Sequence, residues 1–437
     1  MKLHIKNGHV IDPSNDIDGK LDLFIEGGKI VAVGNSQHNG AHFNAGAFNA
    51  DQTIDATGMT VIPGLVDLCA RLREPGYEYK ATLESELRAA VQGGVTSLVC
   101  PPDTDPVLDE AGLIGMLKQR AAAQNLAYVY PLGALTVGLG GTHITEMAAL
   151  TEAGCVGFSQ AEHVIQDTNV LLRALQYAKT FGYTVWLRPQ DAFIGVGGVA
   201  HSGAFASRMG LSGVPVMAET IALHTIFELQ RLTGARVHLC RISSAAGVEL
   251  VRQAKREGLD VSCDIGVHHL HLIDTDIGYF DANARLSPPL RSERDRDALR
   301  MAVIDGTVDA ICSDHTPVDD DEKSLPFAEA SPGATGLELL LSLVLKWSTE
   351  ARVNPAIAIA RITNDPARVA GLPAGKLSVG CSADLCIYDQ KAEWVVEGKA
   401  LASQGKHTPF LSYMLPVQVQ HTVVAGRIVY SRGWAWQ

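Results

Sequence analysis

Histidine, cysteine and acidic side chains are the ligands a divalent metal would need, and this chain offers several groups of them. The densest histidine group is VHHLH, with His268, His269 and His271. Adjacent residues on a strand point to opposite faces, so only His269 and His271 would share one; a structural or loop role is expected for the group. His238, inside the strand-like VHLC, reads as a core histidine with its hydrogen bonds satisfied. None of the eight cysteines forms a CxxC pair. Cys69, Cys100, Cys155, Cys240, Cys263 and Cys312 lie in or at the end of apolar runs, and Cys381 and Cys386 share a small-residue strand. Reduced, mostly buried thiols are expected. The Gly-rich stretch GVGGVAHSGAF (195–205) lacks the Lys-Ser/Thr of a phosphate-binding loop. The acidic run DDDE (319–322) reads as a solvated loop.

The elements that must position such groups repeat along the middle of the chain. An amphipathic helix, a small-residue turn and a short apolar strand recur, as in ESELRAAVQ leading to VTSLVCPP and NVLLRALQYAKTFG leading to YTVWLRP. With VIPGLVDLCARL as the opening strand, eight such strands are predicted, ending with VDAICSDHTP. Buried strands separated by helices call for parallel pairing. The fold class is therefore α/β, a (β/α)8 TIM barrel over residues 63–377; a doubly wound open sheet is second, since no GxGxxG follows an early strand. Residues 1–62 alternate as strands, with turns at Asp12-Pro13, Gly27-Gly28 and Gly58, and 378–437 return to strands. Both ends together predict a composite β-sandwich. The polar stretch 35–52 reads as an exposed, mobile loop, with His38 and His42 as solvated bystanders.

Composition narrows the classes of function. At 437 residues the chain can hold one large barrel and a smaller domain. A net charge of −12 with no basic stripe argues against a nucleic-acid partner. No apolar run approaches the roughly 20 residues of a membrane span, and the N-terminus has no signal-peptide core. A cytoplasmic location without membrane contact is expected.

The stretch PGLVDLCARLREPGYEYKATLESELRAAVQGGVTSLVCPPDT, with NARLSPPLR, SDHTP, SPGATGLE, NDPARVAGL and GCSADLCIYD further on, resembles bacterial dihydroorotases of the amidohydrolase superfamily along nearly the whole chain. The resemblance implies the barrel and sandwich read above, and, for active members, cyclisation of carbamoyl-aspartate with one or two divalent metals, usually zinc. It also implies where the ligands should stand. The His-x-His pair closing the first strand is here Cys69 and Arg71; the bridging acid of the fourth strand is Gln160; the histidines of the fifth and sixth strands are Arg188 and Arg241. Only Asp314 on the eighth strand keeps its acid, followed by His315. Arg73 and Asn283 match substrate contacts, while Asp103 replaces a customary asparagine and would repel an anion.

Arginine has no lone pair to offer and stays cationic. One such charge about 4 Å from a divalent ion costs on the order of 8 kcal/mol at an effective dielectric near 20. No metal and no cofactor are therefore expected. Three arginines and Asp314 carry the same +2 as two divalent ions with two carboxylates, so either the arginines replace the metals' charge or the positions have drifted. The reading is a non-catalytic dihydroorotase homologue. By resemblance to inactive members, it would be a structural or regulatory subunit for aspartate transcarbamoylase and a homo-oligomer. An active dihydroorotase or other cyclic-amide hydrolase with an atypical site, and a small-anion binding module in the cationic pocket, are the alternatives.

Overall fold

The computed structural model describes residues 1–34 and 45–434. His38 and His42 lie outside the described residues, and so does most of the stretch read as a loop. Its last residue, Gln52, already opens the strand Gln52–Asp55.

All eight stretches read as central strands are strands, and every pairing between them is parallel. Leu65–Asp67 pairs with Val95–Cys100, which pairs with Tyr128–Pro131. That third strand continues through Leu132 to Gly133–Ala134, which pairs with Phe158–Ser159. Thr184–Leu187, Arg236–Leu239, Val261–Gly266 and Ala310–Cys312 follow in order. A parallel bridge between Ala70 and His315 joins the last strand end to the first, with Arg71 N donating to His315 O at 2.9 Å and His315 N to Cys69 O at 3.1 Å. The pairings thus run round in a ring. The strands are short and mostly buried; all six residues of Val95–Cys100 are buried, as expected for strands covered on both faces.

Helices return the chain between strands, and their ends are written locally. Thr82 and Ser85 form a reciprocal capping box at the start of Leu83–Gln92, and Ser292 with Asp295 does the same for Glu293–Asp305. Gly182 ends Thr168–Phe181 at φ +75°, a conformation that costs a glycine little, and the next strand follows at Thr184.

The opening run VIPGLVDL is divided by Gly64. Met59–Pro63 belongs to the terminal sheet and Leu65–Asp67 to the ring. A Cβ on Gly64 would lie 2.1 Å from Thr96 Oγ1, so only glycine lets the chain pass there. The two ends of the chain meet in one continuous eight-stranded sheet. Its order is Arg427–Ser431, Met414–Val424, Leu385–Val395, Met59–Pro63, Lys2–Asp12, Ile17–Glu26 and Lys29–Gly34, with Gln52–Asp55 also on Lys2–Asp12. Leu3, Ile5, Leu23, Val61, Leu385 and Val423 form one buried apolar cluster drawn from both ends. Between Val395 and Met414 the chain leaves this sheet and returns to the ring. There Ser403 Oγ and Gln404 N donate to Glu86 at 2.7 and 3.0 Å. Among the described residues no helix is long and apolar enough to cross a membrane.

Candidate functional site

The C-terminal ends of the strands carry Cys69, Arg71, Arg188, Arg241 and Asp314, and four of these five converge directly. Arg241 donates through one terminal nitrogen to Asp314 Oδ1 at 3.0 Å and to Ser287 O at 3.1 Å. Arg71 Nη1 lies 3.9 Å from the same Asp314 oxygen and donates to Thr316 Oγ1 at 3.0 Å. Cys69 Sγ sits between them, 3.7 Å from Asp314 Oδ1 and 3.9 Å from Arg71 Nη1.

The group that ties the arginines together is one the strand-by-strand reading missed. Glu162 Oε1 accepts from Arg71 Nη2 at 2.9 Å and from Arg241 Nη2, and its Oε2 lies 3.0 Å from Arg188 Nη1. Among the described residues, Arg188 joins the cluster only through this carboxylate. Gln160, expected at the bridging position, turns away: it accepts from Thr136 Oγ1 at 2.9 Å and donates to Leu139 O at 2.7 Å. The reason lies in the backbone. Ala161 has φ +49°, so the chain turns sharply after the strand and brings Glu162, two residues on, to the centre. The acid in GFSQAE was the available signal.

The charge count changes accordingly. Asp103 Oδ2 accepts from Arg71 Nε at 2.7 Å, so this acid is paired with a guanidinium instead of standing free to repel an anion. Three guanidiniums (Arg71, Arg188, Arg241) face three carboxylates (Asp103, Glu162, Asp314), not Asp314 alone. Burial pushes the Glu162 carboxyl upward, but Arg241, Arg188 and Arg71 together more than reverse it and hold it well below the usual carboxylate range. At Asp314 burial prevails over Arg241 and Arg71, and its carboxyl is raised. Burial, then Arg71, lowers Arg73, whose Nε donates to Pro317 O at 2.9 Å. A cavity of about 220 Å³ opens over the cluster, lined by Arg71, Arg73, Lys80, Asp103, Glu162 and Arg241 among others.

Two further expected contacts lie elsewhere. His315 points to the far side of its strand end, fully buried, with Nε2 2.6 Å from Glu86 Oε2. Its Nδ1 accepts from Gly336 N at 3.1 Å, so Nε2 carries the proton and donates to Glu86. Asp314, at φ +49°, turns to the mouth instead. Asn283 is bonded through Oδ1 to His407 Nδ1 at 3.1 Å, outside the cavity lining. The acidic run is less solvated than expected: Asp319 caps the short helix Asp320–Lys323, and Glu322 pairs with Lys80 at 2.7 Å.

The histidine group is structural, by a geometry different from the strand expected. Val267–Leu270 is a 3₁₀ turn, where residues three apart share a face. His268 and His271 therefore both pack on Phe410, at 5.6 and 5.9 Å between ring centres, and His269 stands apart with Nε2 3.2 Å from Pro289 O. Burial lowers all three, to about 3 for His268 and about 4 for His269 and His271, so they are neutral. His238 is the satisfied core histidine expected, with Nδ1 2.8 Å from Ser262 Oγ and Nε2 3.0 Å from Asp264 Oδ2. All eight cysteines are free thiols, and only Cys240 and Cys381 are not fully buried.

The whole fold is that of the hydantoinases. It matches L-hydantoinase (dihydropyrimidinase) from Arthrobacter aurescens with a TM-score of 0.87 at 24% identity, over 100% of this chain and 97% of that one. Dihydropyrimidinase from Brevibacillus agri NCHU1002 gives 0.83 at 20% identity, over 99% and 95%. In sequence, the dihydro-orotase-like family model matches residues 58–246 and the amidohydrolase family model residues 213–429. A dihydroorotase-like protein of Pseudomonas aeruginosa is 42% identical over 98% of this chain and 100% of its own length. A dihydroorotase of Geobacter sp. (strain M21) is 38% identical over 99% and 100%. The chain belongs to the dihydroorotase-like proteins of the amidohydrolase superfamily.

Proposed function

We propose that this chain is a non-catalytic dihydroorotase homologue, its ring of strands a (β/α)8 barrel whose mouth is held by an ion cluster in place of a metal centre. The observation that carries the reading is the seating of Glu162 among Arg71, Arg188 and Arg241. The donor set does not fit zinc, which takes imidazole, thiolate or carboxylate ligands. Glu162 and Asp314 already accept from guanidiniums, and Cys69 lies against one. A divalent ion among three such cations would meet about 8 kcal/mol of repulsion from each at about 4 Å.

The one His/Cys/Asp group among the described residues with metal-like spacing is His238, Cys240 and Asp264. Two of its atoms are engaged outside the group: His238 Nδ1 lies 2.8 Å from Ser262 Oγ, and Asp264 Oδ1 accepts from Arg241 N at 2.6 Å. Burial pushes the Cys240 thiol well above its ordinary value, away from the thiolate a metal needs. No cofactor enters the proposal.

A complete fold around a mouth without a metal centre suits a structural or regulatory role, as a cytoplasmic homo-oligomeric partner of aspartate transcarbamoylase. Elemental analysis paired with a dihydroorotase assay tests the catalytic half: we expect substoichiometric zinc and no turnover. Near-stoichiometric zinc with turnover of dihydroorotate would make the chain an active enzyme with an atypical site, a reading that the relatives named dihydroorotase favour. Size-exclusion chromatography with aspartate transcarbamoylase tests the partner; separate elution at micromolar concentration refutes it. Calorimetry with carbamoyl-aspartate, orotate and phosphate tests the third reading, a small-anion module in the cavity over the cluster.

A further inference from the structure

Arg188 has two sides, and only one belongs to the ion cluster. Its side chain is nine-tenths buried and meets Glu162 through Nη1. It does not line the cavity that Arg71 and Arg241 share. It lines a second cavity of about 140 Å³, between the helices Thr168–Phe181 and Met217–Thr233. Leu171, Leu187 and Ile226, each at most 6% exposed, form an apolar wall with Ala222 beside them, and Gln160, His163, Gln190 and Asp191 belong to its polar lining. Among the described residues the guanidinium has no hydrogen-bond partner on this side. The neighbouring acid, Asp191, commits Oδ1 to its own turn, accepting from Phe193 N at 2.9 Å and Ile194 N at 2.8 Å.

A cationic fork beside an apolar wall suits a ligand with a carboxylate at one end and an apolar body behind it. We infer that the cleft behind Arg188 binds a small apolar carboxylate. The carboxylate takes the free edge of the guanidinium, and the body lies between Leu171, Leu187 and Ile226. This site is separate from the mouth and does not depend on whether the mouth is catalytic. A ligand there would grip the same arginine that holds Glu162, coupling the cleft to the cluster.

The test is titration calorimetry on the full chain, with hexanoate as the probe and hexan-1-ol and inorganic phosphate beside it. Hexanoate is expected to bind saturably at one site, hexan-1-ol at least about tenfold more weakly for want of the charge-assisted contact, and phosphate not at all. Ala222→Trp fills the slot without touching the ion cluster and should abolish hexanoate binding. Arg188→Gln, if it folds, should erase the preference for hexanoate over the alcohol. No saturable heat from hexanoate, equal binding of the alcohol, phosphate binding that Ala222→Trp abolishes, or unchanged hexanoate binding in Ala222→Trp would each overturn the inference.

Discussion

Asp314 and His315 are consecutive residues on one strand end, yet they serve polar regions built on opposite plans. Asp314 faces the mouth, where charges are close, partly open to solvent and balanced by number: Glu162 is one-third exposed. His315 faces inward, where Glu86 accepts from it and from Ser403 and Gln404, with neither member of the pair exposed at all. Beside it, Glu338 accepts from Gln92 Nε2 and Ala402 N, both at 2.7 Å. The first region holds its carboxylates with fixed cations. The second holds them with neutral donors and one imidazole. The comparison teaches that the mouth keeps its charges within reach of solvent, while the adjoining network, which welds the C-terminal segment to the ring, is closed.

Removing the cations is the harshest way to break this comparison. In Arg71→Gln/Arg188→Gln/Arg241→Gln, buried Asp314 and the partly buried Asp103 and Glu162 lose their partners, and we expect a loss on the order of 5 kcal/mol in chemical denaturation. An unchanged melting temperature would mean the arginines are drift and not compensation. His315→Ala attacks the other region and should cost about 3 kcal/mol, since it leaves Glu86 buried without its imidazole and opens a cavity. Equal stability of this variant and the parent would remove the distinction between the regions. Glu162→Gln keeps the shape and drops the charge; about 1–2 kcal/mol is expected, discounted for solvent at a one-third exposed site.

The smallest effect is a difference in pH response. The folded-state carboxyl of Glu162 is lowered, so its stabilisation is present above the unfolded value near 4.3 and is lost as pH falls below it. Burial raises Glu338 to about 8, so the folded chain keeps a proton that the unfolded chain releases near 4.3. That contribution declines as pH rises from about 4.3 to 8. Urea midpoints between pH 5 and 8 should therefore fall less steeply in Glu338→Gln than in the parent; parallel curves would contradict the assignment.

The sequence made the strands legible because burial on both faces leaves continuous apolar runs, as in Val95–Cys100. It made Arg71, Arg241 and Asp314 legible through the family motifs that carry them, although Arg241 and Asp314 themselves stand at positive φ. Counting failed at the fourth strand, where the turn at Ala161 seats Glu162 among the arginines and leaves Gln160 bonded to Thr136 and Leu139. It failed again at His268–His271, where a 3₁₀ turn replaced period two with period three. For His315 and Asn283, the partners come from Leu83–Gln92 and from the return segment at His407, far off in the chain, and no local pattern announces them.

That return segment also bears on how the chain must be made. Gln404 reaches Glu86 across 318 residues, and Met59–Pro63 finds its antiparallel neighbour only when Leu385–Asp389 arrives. At about 5–20 residues per second, synthesis leaves that strand edge and the Glu86 carboxylate waiting for some tens of seconds. The ring can collapse early, but its sealing belongs to the end of translation, so a late truncation should harm solubility more than its length suggests.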